Sequence, residues 1–223
     1  MKRLFSTLLL IITATLFLPA QTAKEIALER EAIRKLSQSE LNKKASKAAR
    51  KEAKKYAKEG WLVSPGALPI EKQLDNAYRM QYVYDDALFP KYLMGEAMSV
   101  GENYDAAKMQ ALELAKQNLA GQIQTEVTEL IDNKVANQQL AAEQAASVTQ
   151  SLAESKNLIS QSIGRVIPVT EMYRIKNDKN KEVLVRLAYN AEMARDAAKK
   201  AVRHDLERKG DELSKQVDKL FER

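Results

Sequence analysis

Apolar residues recur at three- and four-residue steps from Tyr104 to Leu130, through Ala107, Ala111, Leu112, Ala115, Leu119, Ile123 and Val127. That period puts them on one side of a helix, the clearest amphipathic pattern in the chain. Asn103 is placed to cap its start, and Asp105 complements the dipole in its first turn. Immediately before it, Tyr92 to Val100 alternates with a period of two. Tyr92, Met94, Met98 and Val100 share one face, interrupted by Glu96, while Leu93, Gly95, Ala97 and Ser99 share the other. The second face is small, which lets a helix backbone come close. Downstream, Gln138 to Leu158 reads as a second helix with Leu140, Ala141, Ala145, Val148, Leu152 and Ile159 inward, ending before Gly164. Two Val-, Ile-, Tyr- and Leu-rich runs around "KNDKNK" then predict a β-hairpin. Val183, Val185, Leu187 and Tyr189 lie on one face of its second arm, opposite Glu182, Leu184 and Arg186. Pro168 fits the first arm as an edge strand or a strand start.

The ends of the chain have a helical pattern too. Ala191 to Arg223 carries Met193, Ala197, Ala201, Val202, Leu206, Leu213, Val217 and Leu220 as its apolar set. Leu206, Leu213 and Leu220 are spaced by heptads, a weak indication of oligomerisation that Gly210 interrupts. Lys24 to Glu59 lacks Gly and Pro and has only a thin apolar stripe, so it reads as a long, largely solvated helix, broken around Ser37 to Ser39 and stopped at Gly60. "WLVSPGALP" is an irregular linker. After it, "KQLDNAY" has short-helix character and "RMQYVY" has strand character. The expected fold is α+β: a small, mostly antiparallel sheet of three to four strands, with long helices on one face and the N-terminal helix appended. The segments are 1–23 as a signal peptide, 24–60 as the basic helix, 61–90 as linker and candidate first strand, 91–190 as the core and 191–223 as the C-terminal helix.

A strand, glycines and a helix in succession also outline a phosphate-binding loop. Such a loop needs Lys and Ser or Thr after its last glycine. Here Glu102 and Asn103 follow Gly101, and a carboxylate there repels phosphate. Gly95 and Gly101 are therefore expected to serve backbone packing, with no cofactor.

Charge changes the picture at the N-terminus. Residues 24–59 hold 12 basic and 6 acidic side chains, whereas residues 60–223 hold 22 basic and 24 acidic, so the excess sits in one segment. Lys2 and Arg3, the apolar run Leu4–Leu18 and "LPAQTAK" have the layout of a cleaved secretory signal. There is no cysteine, hence no thiol chemistry and no residue for lipid attachment. An oxidising compartment suits such a chain. The expectation is a periplasmic or outer-membrane-associated protein without a membrane span after cleavage.

Candidate chemistry is sparse. His204 is the single histidine, set between Arg203 and Asp205, which leaves no ordinary zinc set and no Ser-His triad. Asp85-Asp86 lacks the spacing of a calcium loop. Glu96, Glu102 and Asp105 lie near the strand-to-helix corner, where clustered carboxylates would support acid–base chemistry or a hard cation. The cationic set Lys43, Lys44, Lys47, Arg50, Lys51, Lys54 and Lys55 is the candidate surface for an anionic partner. Few aromatics accompany it, which argues against nucleic acid.

The stretch "YLMGEAMSVGENYDAAKMQALELAKQNLAGQI", with alanines 107, 111 and 115 and the Leu119-Ala120 pair, resembles the core of the Lpp-twenty-type family of bacterial envelope lipoproteins, as does "EVLVRLAYN" later. The resemblance covers about Lys91 to Asn190. It implies an envelope protein of a Gram-negative bacterium, and it carries over no catalytic residue. The missing lipidation cysteine departs from the family and removes the direct anchor. The combined expectation is an exported, non-enzymatic protein that binds or helps assemble envelope components, with envelope proteins or an anionic envelope surface as partners and homo-oligomerisation left open. Two alternatives stand beside it: a periplasmic spacer or scaffold using the N-terminal helix as an arm of ~50 Å, and a hydrolase or metal enzyme using the carboxylate cluster.

Overall fold

The small-faced strand and the long helix meet as their patterns require. In the computed structural model, β1 (Tyr92–Gly101) runs through a tight corner into α3 (Tyr104–Ala136), after α1 (Lys47–Lys58) and α2 (Ile70–Gln81). α4 (Ala142–Glu154) and α5 (Lys156–Ser162) follow, then the hairpin of β2 (Ile167–Lys176) and β3 (Asn180–Asn190). α6 (Ala191–Lys209), a 3-10 turn (Glu212–Gln216) and α7 (Val217–Leu220) close the chain. The structure describes residues 28, 31, 35 and 43–221 apart from 87, 177 and 178. The chain divides into Met1–Lys44 and Ala45–Arg223. In the first unit, Lys35 pairs with Glu31 at 3.0 Å across one helical turn. The signal peptide, the break around Ser37 to Ser39 and, apart from residues 28, 31 and 35, the 24–42 part of the expected 24–60 helix lie outside the described residues.

The second unit is α+β around a three-stranded antiparallel sheet of order β1-β3-β2. Asn103 caps α3 by accepting from the Ala106 amide at 2.9 Å. Ala107, Ala111 and Ala115 then lie against Val183, Val185 and Leu187 of β3. The reason for the small β1 face is measurable. A Cβ on Gly95 would stand 2.9 Å from the Leu119 Cβ and would collide with the Ala115 carbonyl oxygen. One on Gly101 would stand 2.7 Å from the Ala107 amide nitrogen. Beyond the sheet, the second half of α3 packs with α4, α5, α6 and α7 into the main apolar core, including Ile123, Val127, Ile131, Val148, Leu152, Ile159 and Leu206.

Five expectations are corrected. The sheet is covered on both faces: Ala77 of α2 packs with Val169 and Ala188, while Trp61 packs with Met172 and Leu184. The candidate strand "RMQYVY" is the end of α2 and a loop, with one isolated bridge from Tyr84 to Pro90. The predicted helix at 138–158 is two helices meeting at Ser155, a fully buried residue whose hydroxyl donates to the Ala201 carbonyl at 3.3 Å. The C-terminal helix stops at Gly210 (φ 69°), and the chain turns back. Leu206, Leu213 and Leu220 are consequently buried in the chain's own core. Met193, placed inward by pattern, is exposed. Among the described residues no helix is long and apolar enough to cross a membrane.

Candidate functional site

The cationic set sits on α1, whose orientation is decided by alanines. Ser46 caps the helix, accepting from the Ala49 amide at 3.2 Å, and its own amide donates to Asp75 at 3.0 Å. Ala45, Ala49 and Ala53 are buried against Leu74 of α2. The segment expected to be solvated thus carries a buried face. Small side chains suffice because the two helices approach closely, which a sequence count of large apolar residues does not register. The opposite side follows from the 100° step per residue: Lys47, Lys51, Lys54 and Lys58 fall at i, i+4, i+7 and i+11, a single stripe. All four are exposed, and among the described residues none of them is ion-paired.

The other predicted cations are placed differently. Lys55 flanks the stripe beside Tyr56, with Glu52 and Glu59 in the same shallow groove. Arg50 is half-buried, and its Nε is shut away from water with no hydrogen-bond partner, so it belongs to the packing of α1 on the body. Lys43 and Lys44 are exposed and belong to the first unit. Lys58 joins the stripe although it is not in the predicted cationic set; its i+11 spacing from Lys47 was the available signal.

The carboxylate constellation is not assembled. Glu96 lies mid-strand and pairs with Arg186 across the β1–β3 ladder at 2.5 Å. Gly101 lies five residue steps further along the strand, on the order of 17 Å at ~3.3 Å each. Glu102 and Asp105 are exposed at the helix start. Among the described residues no group of three His, Cys, Asp or Glu side chains is arranged to hold a metal. His204 is an exposed residue of α6.

Two polar networks reinforce the body. Tyr104 donates to Glu171, which also receives Lys108 at 2.9 Å, while Ser64 donates to the Tyr104 hydroxyl at 2.7 Å. Burial raises the Tyr104 pKa, and its bond to Glu171 adds to that. Glu171 also raises Lys108. Both groups are thereby held protonated, which suits a clamp between β2 and α3 better than a base. In the second network, burial would push Asp205 upward. Hydrogen bonds from Lys209, Arg208 and Ser151 outweigh it and hold the carboxyl at about 2.

One concavity has no counterpart in the sequence pattern. A cleft of about 800 Å³ runs along the outer edge of β1 beneath α3, between Leu93, Met94 and Glu96 on one wall and Asn118, Gly121 and Thr125 on the other. Arg195 and Glu126, 3.5 Å apart, also line it, as do Glu129 and Lys156. Comparison of the chain with protein-family models, curated proteins and solved structures finds no match to any of them. The lysine stripe and its surroundings are therefore interpreted from their own chemistry.

Proposed function

We propose that this chain is an exported, non-enzymatic component of a bacterial cell envelope that docks on an anionic envelope surface through α1. The observation that carries the reading is the stripe Lys47, Lys51, Lys54 and Lys58, held rigidly opposite a buried alanine face. A loose basic tail loses conformational entropy on binding, whereas this set is already ordered. The leader-like residues 1–23 and the resemblance of 91–190 to the Lpp-twenty-type family support the compartment. With no cysteine to carry a lipid, a reversible electrostatic contact is the reading's substitute for an anchor.

Co-sedimentation with vesicles tests it. Phosphatidylglycerol-rich vesicles should retain the full chain at low salt and release it at high salt, while phosphatidylcholine vesicles should not retain it. Each lysine near an anionic surface contributes about 1 kcal/mol, so changing all four stripe lysines to Gln should weaken retention by up to roughly three orders of magnitude. Equal retention of wild type and the four-fold variant would exclude α1 as the docking face.

A further inference from the structure

The linker between α1 and α2 is irregular, yet it is pinned along its length. The Trp61 amide donates to the Tyr56 carbonyl at 3.0 Å, and Leu62 exchanges two backbone bonds with Tyr173 of β2 at 2.7 and 2.9 Å. Ser64 donates to Tyr104 at 2.7 Å, and the Leu68 carbonyl accepts from Gln73 at 2.8 Å. A backbone held at these points has little freedom to turn its apolar side chains inward. Leu62 stays 48% exposed. An apolar residue exposed singly needs no explanation, but Leu62 lies on the wall of a groove.

That groove, of about 420 Å³, runs between the linker and α1. Ala53 and Ala57, one helical turn apart, give its α1 wall only methyl groups, and Trp61, Leu62 and Ile70 line the other side. A concavity of this size with mostly apolar walls and a few polar groups suits a small ligand. Its charged groups are Arg50 and Lys54, at i and i+4 on α1, and Glu71 in the first turn of α2. Among the described residues none of the three is ion-paired. Packing on the body holds Arg50 in the wall, and its Nε meets no acceptor in the protein. Two cations against one carboxylate favour an anionic head on an apolar tail.

We infer that this groove takes one acyl chain of an anionic phospholipid, the chain lying along Ala53, Ala57 and Leu62 and the phosphate held by Arg50 and Lys54. The choice of a lipid over other anionic amphiphiles rests on the docking reading above. Lys54 belongs to both the stripe and the groove, so a surface that meets one also meets the other. The two contacts differ in physics. Attraction to the stripe is screened by salt, whereas burial of a hydrocarbon chain is not electrostatic and scales with the apolar area removed from water.

The test is titration of the full chain with a short-chain phosphatidylglycerol, kept monomeric below its micelle concentration and brominated at its chain ends. Bromine quenches fluorescence on contact, and Trp61, the one tryptophan of the chain, lines the groove. Saturable quenching is expected, with binding at least tenfold weaker for the matching phosphatidylcholine. Leu62→Gln should weaken binding at least tenfold. If that variant fails to fold, Ala57→Phe fills the groove from an exposed helix position and should do the same. Glu71→Gln removes the opposing carboxylate and should tighten binding. An unquenched Trp61 would overturn the assignment, as would equal binding of the phosphatidylcholine, or wild-type affinity in both Leu62→Gln and Ala57→Phe. A brominated fatty acid of the same chain length that binds as tightly as the phospholipid would overturn the choice of a lipid. Because the probe is monomeric, the result separates from vesicle retention: retention with Trp61 unquenched sinks the groove alone, and quenching in a chain that vesicles do not retain sinks the stripe alone.

Discussion

The same substitution, glycine to alanine, should have opposite signs at three places along the β1–α3 unit. On a permissive backbone the change stabilises by about 0.4–1 kcal/mol, because it restricts the unfolded chain. That gain is present at each of these positions, none of which has a positive φ. At Gly95 the new methyl collides with the Ala115 carbonyl and crowds Leu119 at 2.9 Å, and at Gly101 it meets the Ala107 backbone at 2.7 and 3.1 Å. Neither obstacle is the end of a flexible side chain, so α3 must lift from the sheet. Overpacking of this kind costs about 1–3 kcal/mol, leaving a net loss of about 2 kcal/mol at Gly95 and somewhat less at Gly101. At Gly121 nothing is displaced, and mid-helix alanine should stabilise by about 1 kcal/mol. For a chain of this size each kcal/mol moves Tm by about 2–4 °C. Thermal melts should therefore place Gly95→Ala about 4–8 °C below wild type and Gly121→Ala a few degrees above it. A Gly95→Ala protein as stable as wild type would refute the claim that β1 and α3 are in backbone contact, and a destabilised Gly121→Ala would refute the claim that packing leaves that glycine free.

Asp205→Asn should destabilise by about 2 kcal/mol at neutral pH, since its carboxyl falls from 3.8 to about 2 on folding. A depressed carboxylate stabilises above its unfolded value, and the contribution fades as pH drops from about 4 to 2; urea melts of variant and wild type should converge there, and a pH-independent gap would mean the residue acts by packing alone. Glu182 is buried, yet hydrogen bonds from Arg174 and Lys176 at 2.5 and 3.1 Å outweigh that burial and lower its pKa. Glu182→Gln should cost about 1 kcal/mol in a denaturant melt at neutral pH, less toward low pH, and an unchanged midpoint would exclude a structural role for the pair. Trp61, buried with Arg174 4.7 Å from its ring, should report unfolding by fluorescence, and Arg174→Ala should shift its emission to the red; an unchanged spectrum would show that the guanidinium does not shield it.

Local chemistry made the β1–α3 corner and the hairpin readable. Period-two alternation, a capping Asn103 and a period of three to four residues are properties of short stretches, and they hold wherever one face is buried. The small face of β1 even foretold a close helix, because nothing but a backbone fits against Gly95. The second covering layer was not readable. Leu74 and Ala77 are ordinary residues in a short segment, and only Ala49, Ala53 and Ala188, distant along the chain, make them core. The aromatic run after α2 looked like a strand for the same reason: strand character depends on a pairing partner, and β3 was already taken on both sides by β1 and β2.

The cationic residues were likewise visible as a composition, but not as a surface. Four lysines at helical spacing define a stripe only once alanines at 45, 49 and 53 choose which side faces inward, and that choice consigns Arg50 to the packing. The cleft beside β1 has no local signature, since it exists where strand order leaves an edge uncovered and α3 overhangs it. Sequence alone determined the β1–α3 unit with its Asn103 cap, the hairpin and the places of closest approach at Gly95 and Gly101, because those depend on neighbours within a few residues. Tertiary structure decided which faces are buried, which carboxylates meet and where the sheet stays open, because those depend on contacts between segments that the linear order holds apart.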